Sequence, residues 1–260
     1  MDSLSNQPVE YSLAELLSCV ASHLLQDNQS VFVGTGLPMI AAMLAQRTHA
    51  PHILIIFEAG SIGPRVPVLP VSVGDSRTFY KAVAATSMHD VMAAAQAGYI
   101  DYGFLGAAAI DAYGNLNTTV IGDWERPKVR LPGSGGANDL GSFCWRTLSI
   151  MRNQSPRTFV NKLDFITTPG WLDGPGARER AGLPADCGPY RVITQLGVYG
   201  FNYATKRMAL LSLHPGVTVS DVQANSEFEI LIPEHVPVTT PPTALEQRIL
   251  HEIDPDGMVL

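Results

Sequence analysis

Glu58 is the residue with most to offer chemically. It follows five apolar residues, Ile53 to Phe57, so an ionisable group stands where a buried strand ends. A glutamate is rarely buried without a partner. Two readings are open for this residue taken alone. One is a strand-end carboxylate in solvent or in a structural ion pair. The other is a carboxylate nucleophile or base, made more reactive by partial desolvation. Two glycine-bearing segments carry related signals. Residues 133–139, GSGGAND, let the backbone approach a ligand and offer amides to a developing negative charge, although such a composition is more often only a loop. Residues 34–38, GTGLP, run into a helix whose N-terminus suits an anion. The GxGxxG spacing of a dinucleotide site is missing there, and Pro38 removes a donor.

Other chemistries find less support. The histidines show no HxH or HExxH ligand spacing, and no GxSxG elbow marks a serine hydrolase. Cys19, Cys144 and Cys187 lack CxxC spacing, which points to free thiols in a reducing cytoplasm and to no zinc site. The net charge of −7, with no run of Lys or Arg, argues against a nucleic-acid partner. No apolar stretch approaches the ~20 residues that span a bilayer, so no membrane association is expected. The N-terminal MDSLSNQPVEYS is polar and acidic, unlike a signal peptide. Asp173, Arg178, Glu179 and Arg180 crowd the segment WLDGPGARER, read either as an interface or ligand contact or as a solvated turn.

The elements that must position these groups read as an α/β chain. SLAELLSCVASHLL places Leu13, Leu16, Leu17, Val20 and Leu24 on one helical face, with Ser12 as N-cap. SVFV and HILIIF are short apolar runs typical of strands buried on both faces of a parallel sheet. Between them, Pro38 opens an Ala/Leu/Met-rich helix, giving a βαβ unit. Residues 61–76 hold three prolines and read as a loop leaving the sheet. SMHDVMAAAQAG is a helix capped by Ser87 and stopped by Gly98, and YIDYGFLGAAAI is a strand. RTFVNKLDFITTPGW contains a further strand ending near Pro169. From Tyr190 the pattern alternates with turns at Gly197 and Gly200, predicting antiparallel strands over roughly 190–235. Thr243 and Glu246 form a capping box for a last helix ended by Asp254 and Pro255. The expectation is a single domain over 1–260: an open, mostly parallel sheet with a smaller antiparallel appendage. In such sheets ligands gather at the carboxyl ends of the strands, where GTGLP, Glu58 and GSGGAND are all expected.

These motifs also resemble a family. VFVGTGLPMIAAMLAQRTHAP, the strand ending in FEAG, SVGDSR, IDAYGNLNTTVIGDWERPKVRLPGSGGAND, NKLDFITTPGWLDGPGARERAGLP and EIDP follow one another as in β subunits of family I CoA-transferases of the glutaconate type. The likeness covers the chain from about residue 14 to 255. It implies the fold shared by CoA-transferases and certain sugar-phosphate isomerases. It implies a separate α-type partner subunit in a hetero-oligomer, acyl-CoA and carboxylic acid substrates, coenzyme A as cosubstrate, and no tightly bound cofactor. Glu58 matches the family's catalytic glutamate; Gly135, Gly136 and Ala137 match the oxyanion region that binds the thioester. Asn117, Gly34 and Gly36 match positions of the substrate pocket. Arg65, Arg77, Arg126 and Arg130 are candidates for binding a distal substrate carboxylate, unless the partner supplies that group. Divergent branches of the family act as acyl-CoA hydrolases, decarboxylases or C–C cleaving enzymes, so these remain alternatives. A non-catalytic scaffold subunit is the alternative of another class.

Overall fold

Residue alternation in the two short apolar runs decides the layering. In β1 (Ser30–Val33) and β2 (Leu54–Phe57), Val31, Val33, Ile55 and Phe57 point into one core, whereas Phe32 and Ile56 point into another. A strand apolar on both sides needs cover on both sides. The computed structural model, which describes residues 10–260, supplies it as a three-layer arrangement. The expectation for the first nine residues lies outside the described range.

One face is covered by α1 (Leu13–His23), α2 (Leu37–Arg47) and α7 (Ala244–Ile253), whose apolar residues share a core with Val31, Val33 and Ile55. Residues 37–46 of α2 are all buried, as expected for a helix apolar around its whole circumference. The other face carries α3 (Met88–Gln96) and α4 (Ala137–Phe143), with Val91, Ala95 and Leu140 in the second core. Local capping agrees with the residues: Ser12 with Glu15, Ser87 with Asp90 and Thr243 with Glu246 each form a complete capping box.

The remaining strands of the main sheet are β3 (Ser61–Ile62), β4 (Ala84–Ala85), β5 (Tyr102–Leu105), β10 (Arg146–Met151), β11 (Gly188–Thr194), β12 (Gly197–Phe201) and β13 (Met208–Leu213). Their order is β13-β12-β11-β10-β5-β1-β2-β3-β4. The five strands from β11 to β2 are parallel, and antiparallel pairs flank them on both sides. Two small antiparallel sheets lie apart, pairing β6 (Ala109–Ile110) with β7 (Leu116–Asn117) and β8 (Val120–Gly122) with β9 (Pro127–Arg130). Short helices α5 (Ala177–Arg180) and α6 (Val219–Ala224) and a 3-10 turn at Ser76–Phe79 complete the described elements. No helix among the described residues is long and apolar enough to cross a membrane.

Several expectations need correction. The antiparallel strands expected after Tyr190 are present: β12 and β13 continue the main sheet from β11 and end at Leu213. Residues 157–171 hold no strand. They make only isolated bridges, Phe159 to Ile110 and Thr168 to Leu116, while Lys162, Asp164 and Phe165 face solvent. The segment 61–76 is largely a loop, yet its first two residues form β3. The glycine loop does not follow a parallel strand; it leaves the β8–β9 hairpin and enters α4 at Ala137.

Candidate active site

Pairing register brings the strand ends together. Val33 sits opposite Phe57 and Phe32 opposite Gly103, so Gly34, Glu58 and Gly106 emerge side by side at one mouth of the parallel sheet. A cavity of about 330 Å³ opens there, walled by Phe32, Phe104, Leu105, Ala108, Leu131 and Leu140 and roofed by residues 132–137. This is where an open α/β sheet gathers ligands. Glu58 is the one charged residue among those described that line it.

A tight turn delivers Glu58. The Gly60 amide donates to the Phe57 carbonyl at 3.0 Å, leaving Glu58 and Ala59 as the central residues of the reversal into β3. Gly60 has φ +102°, and a Cβ there would lie 2.1 Å from the Thr86 carbonyl oxygen, so only glycine fits. Half-buried Glu58 takes part in none of the ion pairs formed among the described residues. The reading of a structural ion pair therefore finds no partner.

The glycine loop is held at its front edge and bare in its middle. Gly133 and Thr118 bond reciprocally: the Gly133 amide donates to the Thr118 carbonyl at 2.8 Å, and the Thr118 hydroxyl donates to the Gly133 carbonyl at 2.8 Å. Thr118 receives its own support from Thr167, and Asn138 donates to the Thr167 carbonyl at 3.1 Å. The Ala137 amide closes a turn onto the Ser134 carbonyl at 2.9 Å. Gly135 and Gly136 donate to no other backbone group among the described residues. Both face the carboxylate: a Cβ on Gly135 would lie 4.0 Å from Glu58 Oε1, and one on Gly136 would lie 3.4 Å away. Two residues with uncommitted amides thus lie beside Glu58, while the Ala137 amide belongs to the turn.

The other sequence candidates are placed as follows. Gly34 lines this cavity and also an adjoining one of about 490 Å³, where Gly36, Arg152, Met258 and Val259 stand. Asn117 is 1% exposed and spends its side chain on a turn, donating to Val120 O at 2.7 Å and accepting from Thr119 N at 2.9 Å; its neighbour Thr118 is the one at the cavity wall. None of the candidate arginines lines either cavity. Arg77 is paired with Asp75 at 2.6 Å, Arg130 lies over the Trp124 ring at 4.7 Å, and Arg65 and Arg126 are exposed. The three cysteines are free and buried; burial pushes Cys19 up to about 12 and Cys144 higher, leaving them inert as nucleophiles. Met92, whose tip lies against Gly136, gave no sequence signal beyond an ordinary helix position.

A carboxylate in an apolar recess, beside a glycine loop with unpaired amides, is an arrangement suited to acyl transfer or to carboxylate base chemistry. The comparisons narrow this. The profile of the family described as Coenzyme A transferase matches residues 15–225, and the chain belongs to that family. It is 41% identical over 245 residues to the B-type subunit of the 3-oxoadipate CoA-transferase of Pseudomonas knackmussii, covering 94% of each chain. Against the B-type subunit of the glutaconate CoA-transferase of Acidaminococcus fermentans it is 38% identical over 250 residues, covering 94% of this chain and 93% of that one. The crystal structure of glutaconate coenzyme A-transferase from that organism superposes with a TM-score of 0.91 at 36% identity, over 97% of this chain and 98% of that chain. The crystal structure of the decarboxylase AibA/AibB matches with a TM-score of 0.82 at 26% identity, over 96% and 97%.

Proposed function

We infer that this chain is the B-type subunit of a CoA-transferase in which Glu58 carries CoA through a covalent cycle. The observation that supports the reading is Glu58 at the strand mouth with Gly135 and Gly136, whose amides have no backbone partner among the described residues, placed beside its carboxylate. Glu58 attacks the thioester carbonyl of an acyl-CoA, and the oxyanion forms where those amides point. Collapse expels CoA thiolate and leaves a mixed anhydride between the acyl group and Glu58. The thiolate then attacks the glutamyl carbonyl, freeing the donor acid and leaving a glutamyl-CoA thioester. An acceptor carboxylate runs the steps in reverse and restores Glu58. No net proton is gained or lost, so the site needs no general acid. Covalent halves give ping-pong kinetics.

The names of the relatives support two further parts of the reading. Both relatives are B-type subunits, so the active enzyme is a hetero-oligomer with an α-type partner. Their substrates are dicarboxylic acyl groups, and no cation among the described residues lines this cavity; one for a distal carboxylate would come from Arg152 of the adjoining cavity or from the partner. The likeness to a decarboxylase keeps one second reading, carboxylate base chemistry on an acyl-CoA without transfer.

Co-expression with the partner gene and incubation with acyl-CoA, without acceptor, separates these. A transferase traps a thioester on Glu58, which borohydride reduces and hydroxylamine cleaves, with a mass change on the peptide holding residues 53–65. Release of free acid with no adduct would favour the second reading. Undiminished exchange by a Glu58→Ala complex would mean that the subunit is a scaffold.

A further inference from the structure

Arg178 is the largest fully buried side chain among the described residues, at 1% exposure. It joins none of the ion pairs formed among the described residues. Burial draws its pKa down, yet a guanidinium stays charged in a protein. A buried charge without a counter-ion costs stability unless dipoles surround it. Here every hydrogen-bond acceptor found for it among the described residues is a backbone carbonyl, its Nε finds none, and the guanidinium lies 5.9 Å from the Trp171 ring. Nη1 donates to Gly141 O at 3.1 Å, Gly170 O at 2.9 Å and Pro169 O at 3.4 Å, and Nη2 donates to Ser142 O at 2.8 Å.

Those carbonyls show what the charge accomplishes. Gly141 and Ser142 lie in the last turn of α4, whose carbonyls lack partners four residues on. The amides that would close them are spent elsewhere: Trp145 donates to Ile100 O at 3.2 Å and Arg146 to Asp101 O at 2.9 Å, where the chain enters β10. Gly170 and Pro169 belong to the segment on which α4 lies. That packing is so close that a Cβ on Gly141 would sit 2.2 Å from Thr168 Cγ2. The same segment carries Thr167, which supports Thr118 and receives Asn138 at the front of α4. Residues 133–143 are therefore fastened at the front by threonines and at the rear by one arginine, with Gly135 and Gly136 suspended between.

We propose that Arg178 is a positioning residue for the glycine loop. By clamping the carboxyl end of α4 to residues 169–170, it fixes the distance between the loop amides and the Glu58 carboxylate. The assignment of a catalytic consequence rests on the transferase reading above. The clamp itself does not.

The test uses the co-expressed complex with Arg178→Met, which keeps bulk but no donor, and Arg178→Lys, which keeps a charge without the planar fork. Tyr199→Phe serves as a matched control; its hydroxyl donates to Gln154 elsewhere in the same core. Misplacement on the ångström scale can cost ~100-fold in rate. We expect kcat to fall about 100-fold for Met and about 10-fold for Lys, with KM within about threefold. Hydrogen exchange across residues 133–143 should accelerate in both variants and not in Tyr199→Phe. A kcat loss that only tracks the folded fraction, or loop exchange no faster than in the control, overturns the proposal. Should the Met variant fail to fold, the Lys variant decides. A wild-type complex that moves no CoA would sink the transferase reading instead, and loop exchange would still judge the clamp.

Discussion

Gly136→Ala isolates the loop's chemical role from its folding role. Gly136 has φ −78° and ψ 0°, a backbone that alanine adopts without strain, whereas Gly135 at φ +48° would resist substitution. The new methyl would meet Met92 Cε at 2.4 Å and Glu58 Oε1 at 3.4 Å. Met92 must retreat by about 1 Å to reach ordinary contact, and bending a flexible thioether side chain off its rotamer costs ~0.5–1.5 kcal/mol. In a chain of this size that lowers Tm by about 2–5 °C. The kinetic cost should be larger. The methyl would crowd the space between the loop and Glu58 in which, on the proposed reading, a thioester oxygen meets the Gly136 amide, and losing one such donor typically costs ~2.7–4 kcal/mol, or 10²–10³ in kcat. Steady-state CoA exchange by the complex should therefore show kcat down about 100-fold with KM little changed. The double variant Met92→Ala with Gly136→Ala removes the steric neighbour but not the methyl beside Glu58. It should recover Tm and not kcat. Recovery of kcat in the double variant, or wild-type kcat in Gly136→Ala, would refute the assignment of these amides to the oxyanion.

Glu58→Asp retracts the carboxylate by roughly one methylene, a displacement that can cost ~100-fold in kcat; calorimetry should find Tm unchanged, since no ion pair is lost. Gly60→Ala drives a Cβ into the Thr86 carbonyl at 2.1 Å and strains φ +102°, so a destabilisation of ~2 kcal/mol or more by urea unfolding is expected, and a variant as stable as wild type would contradict the turn. For Asp254, burial pushes the pKa up, but the amides of Met258, Val259 and Leu260 outweigh it and hold the carboxyl below its ordinary 3.8. A depressed folded value means that its support is complete above the ordinary carboxylate range and fades as pH falls below it. Protection factors at residues 258–260, corrected for the intrinsic pH dependence of exchange, should be constant from neutral pH down to about 4 and fall below that, and Asp254→Ala should remove the dependence.

Local signals were the legible ones. Ser12, Ser87 and Thr243 declare helix starts through side-chain bonds spanning three residues, so the sequence carries the whole interaction. The strand-mouth position of Glu58 was equally readable, because the apolar run before it has only one way to end. Less could be read where distant residues decide. β10 gives no clear signal of its own, since Thr147 and Ser149 interrupt its apolar pattern; pairing on both sides with β5 and β11 is what makes it central. Residues 157–171 looked strand-like because of Phe159 and Ile166, but their partners are single residues of a small sheet. Arg178 looked like one charge in a solvated turn, and its burial depends on carbonyls of residues 141 and 142. Asn117 faces its own turn because two backbone amides there needed an acceptor.

The turn that presents Glu58 has a consequence for how such proteins diversify. Its shape is enforced by Gly60 against Thr86 and by the pairing of β2 with β3, and no ion pair among the described residues ties the glutamate side chain into the scaffold. Substitution at position 58 therefore breaks no ion pair of the described residues, and if Glu58 carries the reaction as proposed, mutational tolerance there should be higher when measured by abundance than when measured by turnover.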